Sequence, residues 1–238
     1  MTDLAGREQV EILADKDPGV GLPGRVYLPG YSRTMGPQSH LFAERERLQS
    51  LTWEYFDVKQ LSPTIGAELV GLDLSQELTD EVVSEIQQAL WDYKVIFFRN
   101  QEITSEEQLR FAQRFGELEI HPFLPPNTKT PELVRFEKNA NAAGYENQWH
   151  HDVTWRETPS QGAILRAIEI PPIGGDTLFV DANAAYEGLT QEMKDEIDSL
   201  NAVHDFLRAF GRQVPKEKLA EMREMYPLVK HPVVINHH

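Results

Sequence analysis

A mainly β domain flanked by α-helices is the fold class the sequence predicts, on three observations. Two amphipathic segments with helix-capping residues stand in the first half of the chain. Short β-branched and aromatic runs, separated by Pro, Gly and Asn clusters, follow them. Neither an internal repeat nor a low-complexity tract is present. A few helices followed by many short strands suggest a β-sandwich or barrel decorated with helices, with the topology left open.

The elements follow in order. Residues 1 to about 50 are rich in Gly, Pro and charge and show no period of two or 3.6, which predicts an irregular N-terminal arm. From about residue 51 an ordered domain is expected to run to residue 238. Trp53 to Val58 is strand-like, and Ile65 to Leu74 reads as a strand whose glycines permit a bend or bulge. Thr79 can cap a helix in which Val82, Ile86, Ala89 and Tyr93 recur at helical spacing. Val95-Ile96-Phe97-Phe98 then gives a buried-strand signal. Thr104 with Glu107 forms a capping-box pattern ahead of Leu109, Phe111, Ala112 and Phe115, and Gly116 stands where a left-handed residue can end that helix. Strand candidates follow at Glu132 to Phe136, Gln148 to Trp155, Ala163 to Ile170, Thr177 to Val180 and Val229 to Ile235, interrupted by a helix near Thr190 to Leu200.

Composition narrows the function. The 238 residues are 40% hydrophobic and 26% charged, the balance of a globular protein with enough apolar material for a sizeable core. The net charge of -15 argues against nucleic acid and anionic lipid as partners and leaves a small molecule as the expected one. Self-association into a homo-oligomer is left open. With no cysteine, any metal must be held by His, Asp or Glu, which fits a cytoplasmic enzyme. The start has no basic-then-apolar leader, and nowhere do eighteen apolar residues run together, so neither signal peptide nor membrane span is expected.

The strongest chemical signal is Trp149-His150-His151-Asp152-Val153-Thr154-Trp155, whose β-branched and aromatic residues favour an extended strand. Residues two apart on a strand share a face with Cα atoms about 6 to 7 Å apart, so His150 and Asp152 should converge while His151 points away. An imidazole and a carboxylate so placed are two of the three ligands of a 2-His-1-carboxylate facial triad, which leaves open positions on iron(II). A bare H-x-D triplet is more often a hydrogen-bonded pair at a strand end, and context must decide between the two.

That context is a series of stretches in order: IGAELVGLDLS, KVIFFRNQEIT, RFGELEIHP, WHHDVTW and TPSQGAILRAIEIPPIGGDTLFVDANAAYEGL. Over roughly residues 53 to 235 the chain resembles the taurine dioxygenase family of iron(II)- and 2-oxoglutarate-dependent oxygenases. The resemblance implies a double-stranded β-helix, or jelly roll, of the clavaminate synthase-like kind, with helices packed outside. It implies that His150 and Asp152 bind Fe(II) and that Thr177 helps hold the carboxylate of the co-substrate 2-oxoglutarate. Dioxygen and a small-molecule substrate complete the expected partners. By the same resemblance His121 contacts an anionic substrate head, while Phe210 and Val153 line the substrate pocket. Without it His121 reads as an exposed loop residue, Val153 and Phe210 as core, and Thr177 as a strand filler.

Two positions depart from the taurine-specific pattern. Leu124 stands where a tyrosine, and Glu146 where an asparagine, would help bind the sulfonate. A carboxylate near an anionic substrate repels it unless turned away or neutralised. An alkyl sulfate, another sulfonate, or a different small carboxylate or amine-bearing molecule therefore competes with taurine as the substrate. In the family a third iron ligand, a histidine, and the main 2-oxoglutarate anchor, an arginine, lie farther downstream, so the C-terminal part of the jelly roll is expected to be missing and its sheet edges open. His204, His231, His237 and His238 are assigned no iron-binding role. Alongside the dioxygenase stand two other readings, a non-catalytic jelly-roll binding protein that retains His150 and Asp152, and a zinc hydrolase using the same pair.

Overall fold

In the computed structural model, which describes residues 38–120, 129–137, 149–211 and 214–237, the first element is helix α1 (His40–Ser50). These residues belong to the stretch expected to be irregular. Periodicity misses the helix because Leu48 alone is buried on it, and tertiary contacts hold it. The Tyr93 hydroxyl donates to the Leu48 carbonyl at 3.1 Å, and Arg47 pairs with Glu44 at 2.8 Å and Asp92 at 2.6 Å.

Strand β1 (Asp57–Gln60) runs antiparallel to β2 (Ala67–Val70), with Asp57 opposite Val70 and Gln60 opposite Ala67. Helix α2 (Asp80–Tyr93) then crosses over to β3 (Ile96–Phe97), which pairs parallel to β2, a connection that needs an intervening element of this length. Thr79 caps α2 by accepting from the Val82 N–H at 3.4 Å, and Asp80 and Glu81 complement the positive helix start. Val83, Ile86, Ala89 and Tyr93 are the buried face of α2, one position off the expected pattern at its first residue. Lys94, at φ 65, ends the helix with its N–H on the Leu90 carbonyl at 2.7 Å.

Helix α3 (Ser105–Gln113) carries the expected capping box, with the Glu107 N–H donating to Thr104 Oγ1 at 3.2 Å and the Thr104 N–H to the Glu107 carboxylate at 2.6 Å. Thr104→Ala is expected to cost about 1 kcal/mol of stability, read as a lower urea midpoint. Phe111 places an edge against Phe98 and Phe115, and with Leu48, Phe56, Leu69, Ile86 and Tyr93 it builds the core of the first unit. This unit lies within Met1–Leu133, Asp176–Asp195 and His237–His238.

Helices α4 (Ala182–Glu187) and α5 (Gln191–Ile197) come next, the latter inside the helix expected near Thr190 to Leu200. The second unit lies within Val134–Gly175 and Glu196–Asn236. In it β4 (Asn201–His204), α6 (Phe206–Phe210), α7 (Leu219–Met225) and β5 (Val229–Pro232) follow in order. Strands β4 and β5 pair antiparallel, with Ala202 opposite His231 and His204 opposite Val229. Asp205 caps α6 by accepting from the Leu207 N–H at 2.8 Å, and it pairs with both Arg223 Nη atoms at 2.8 and 3.0 Å. Fully buried Phe206 packs against Trp155, Tyr226 and Phe210, with ring centroids 4.6 to 5.2 Å away.

The described residues form a mixed helix and sheet structure, where the sequence predicted a mainly β one. The expected strands Glu132 to Phe136, Ala163 to Ile170 and Thr177 to Val180 are not strands, and Val229 to Ile235 shortens to β5. Their residues suit a pleated surface, but only pairing with a neighbour makes such a segment a strand. Leu165 at 79%, Ile168 at 71% and Leu178 at 70% are correspondingly exposed.

Candidate metal centre

The WHHDVTW stretch departs from the expected strand and turns over Asp152–Trp155, closed by the Arg156 N–H on the Val153 carbonyl at 3.1 Å. Its anchor is Trp155, 7% exposed, whose ring meets Phe206 and Tyr226 edge-on. Val153 sits at φ 59. A β-branched residue in that left-handed region costs about 1 to 3 kcal/mol and persists only where its surroundings hold it. The turn is favoured over a strand because two of its backbone carbonyls are engaged by His231 and it joins no ladder.

The turn nevertheless brings the expected residues together. His150 Nε2 lies 3.3 Å from Asp152 Oδ1, with the two side chains 62% and 67% exposed. As an ion pair at the surface this contact is worth little. As a donor pair it suits one cation, since two ligands about 2.1 Å from an ion at adjacent octahedral positions stand about 3 Å apart. Among the described residues no group of three His, Asp or Glu side chains surrounds a common point.

Two histidines to which the motif reading gave no role contact the turn that follows the pair. His231 Nε2 is 2.9 Å from both the Thr154 and the Arg156 carbonyl oxygens. Carbonyls only accept, so Nε2 carries the hydrogen and donates to both. His204 Nδ1 is 2.8 Å from Thr154 Oγ1, and the two imidazoles meet edge to face at 5.0 Å. Burial, and after it the neighbouring His231, holds the pKa of His204 below its ordinary value near 6.5. Its folded pKa being depressed, His204 stays neutral over a range in which the unfolded chain takes up a proton. Stability is thus full above about pH 6.5, declines as pH falls below it, and levels off below the folded pKa. Urea midpoints taken between about pH 7.5 and 5.5 should show this decline, and His204→Gln should flatten it.

The other expected site residues are placed as follows. Thr177 belongs to the first unit, exposed and outside any helix or strand. Phe210 ends α6 and stacks on Phe206 with ring centroids 5.1 Å apart. His121, Leu124, Glu146 and His238 lie outside the described residues. His237 Nε2 binds the Trp91 carbonyl of α2 at 2.7 Å.

Residues 57–238 match the family model described as "Taurine catabolism dioxygenase TauD, TfdA family". The chain belongs to this family. Proteins similar to it include the "Alkylsulfatase" of Acinetobacter baylyi, 35% identical over 192 residues that make up 77% of this chain and 60% of that protein. The "Alpha-ketoglutarate-dependent sulfate ester dioxygenase" of Pseudomonas putida is 35% identical over 190 residues, 76% of this chain and 62% of that protein. Among solved structures, that of AAD-2 in complex with Mn(II) and N-oxalylglycine superposes with a TM-score of 0.57 at 30% identity, covering 76% of this chain and 65% of that one. The chain thus spans about three fifths of the length of these two relatives. The His150–Asp152 pair and Thr177 fall inside the family-matched region, as do His204 and His231.

Proposed function

We propose that the protein is an Fe(II)- and 2-oxoglutarate-dependent dioxygenase that hydroxylates a small anionic substrate, a sulfate ester ahead of taurine. The observation that carries this reading is the His150 Nε2 to Asp152 Oδ1 approach of 3.3 Å within a region matched to the dioxygenase family. It is supported by two relatives named for sulfate or alkyl sulfate chemistry and by a structural neighbour holding Mn(II) with N-oxalylglycine, an isostere of 2-oxoglutarate in which NH replaces a methylene. The fold proposed is the jelly roll, with the third metal ligand and the main 2-oxoglutarate anchor supplied from outside the described residues. Among the described residues no helix is long and apolar enough to cross a membrane. A cytoplasmic setting is part of the proposal, on the cysteine-free composition.

In this mechanism His150 would hold Fe(II) through an imidazole nitrogen and Asp152 through a carboxylate oxygen. When bound, the metal couples oxidative decarboxylation of 2-oxoglutarate to insertion of one oxygen atom of dioxygen into a substrate C–H bond. The sum is substrate, dioxygen and 2-oxoglutarate in, and hydroxylated substrate, succinate and carbon dioxide out. The Thr177 hydroxyl donates to a 2-oxoglutarate carboxylate, and His121 donates to the anionic head of the substrate. Val153 and Phe210 line the pocket. If the hydroxylated carbon carries a sulfate ester oxygen, the product collapses to an aldehyde and inorganic sulfate.

Anaerobic addition of Fe(II) and 2-oxoglutarate should produce a charge-transfer absorption that bleaches when an alkyl sulfate and dioxygen are admitted, with succinate and sulfate released in equal amounts. Intact iron binding without any succinate, across alkyl sulfates and sulfonates, would sink the reading.

A further inference from the structure

The residues that touch a metal are only part of what a metal site needs, because the backbone that carries them must also be held. With His150 and Asp152 more than half exposed, their direction is set by that backbone and little by packing. The backbone itself passes through a left-handed β-branched residue, Val153, directly after Asp152. Left unsupported, such a residue relaxes to an extended conformation, and the turn that fixes the His150–Asp152 pair relative to the buried Trp155 would open.

Three contacts prevent this relaxation, and all come from the β4–β5 pair. His231, on β5, reaches across 77 and 75 residues of sequence to donate one N–H to the carbonyls of Thr154 and Arg156, which bracket the buried Trp155. His204, on β4, meets the side chain of Thr154 across 50 residues. The two imidazoles brace each other edge to face, so movement of either strand would be felt by the turn. Neither histidine joins a group able to hold a metal among the described residues, which separates them from the ligand role.

We infer that His231, seconded by His204, is a positioning residue for the His150–Asp152 metal pair. The inference rests on the metal-binding reading above. It assigns to His231 the task of locking the turn that follows Asp152, through its Nε2–H.

The test uses Mn(II) as the probe, followed by water-proton relaxation, together with amide hydrogen exchange over residues 152–156. Wild type should bind Mn(II), and His150→Ala and Asp152→Ala should each remove that binding; if wild type binds none, or these variants bind as well as it does, the metal reading itself falls. Given binding through the pair, His231→Phe, which keeps a ring and loses the donor, should weaken Mn(II) affinity about ten-fold and speed exchange in the turn. His231→Gln, whose amide offers an N–H at a similar reach, should restore both to near the wild-type values. Thr154→Val, a shape-preserving change that removes the His204 contact from the other side, should weaken affinity about three-fold and stands in if His231→Phe does not fold. Wild-type affinity and exchange in both His231→Phe and Thr154→Val, with His150 and Asp152 still required, would overturn the positioning role and leave the metal site in place.

Discussion

Asp152→Ala is expected to lower metal affinity by at least about 100-fold, because even residues that merely support a ligand are worth 10- to 100-fold. Asp152 contributes the anionic oxygen of a pair only 3.3 Å across, and the described residues offer no third carboxylate or imidazole to take its place. An imidazole alone binds a hard divalent ion weakly, so the loss should be nearly complete with Mn(II) as with Fe(II). Asp152 is 67% exposed, and its replacement should leave the urea midpoint almost unchanged. Calorimetric titration with Mn(II) beside an unfolding curve separates the two effects. A variant that keeps its metal would remove Asp152 from the site, whereas one that loses both metal and fold would make Asp152 structural.

Phe206→Ala should produce the largest loss of stability, about 3 to 5 kcal/mol. Phe206 is fully buried and touches three aromatic rings, so truncation leaves a cavity that Trp155, Tyr226 and Phe210 close only by moving. That is a large share of the roughly 5 to 15 kcal/mol by which a domain is usually stable. Trp155 belongs to the turn that follows Asp152, and its tryptophan emission should shift with the same change. Phe206→Leu, which retains most of the apolar volume, should cost less and leave the turn in place. Urea unfolding followed by tryptophan fluorescence reads both outcomes, and a midpoint for Phe206→Ala equal to wild type would show that the second unit is not organised around this ring.

Where local chemistry suffices, sequence and structure agree. Thr79 and Thr104 cap the helices they should, because an N-cap needs only a side-chain oxygen three residues ahead of an amide. Ile86, Ala89 and Tyr93 are buried because the 3.6-residue period puts them on one side of α2. Helix α1 was illegible since its burial depends on one leucine and on a hydroxyl from Tyr93, 45 residues away. The strand candidates after residue 130 fared worse for a related reason. A β-branched run states only what surface it suits, and the partner that would make it a strand is not encoded within it.

The sequence by itself determined the family, the capped helices α2 and α3, and the pairing of His150 with Asp152. Two donors separated by one residue stay close in a turn as in a strand, so an incorrect local conformation still put these two side chains together. Only the tertiary structure decided how that pair is held. The supports are His204 and His231, which reach the turn over separations of 50 and 77 residues. No periodicity or motif spans such a distance, and only the pairing of β4 with β5 brings the two imidazoles to one place.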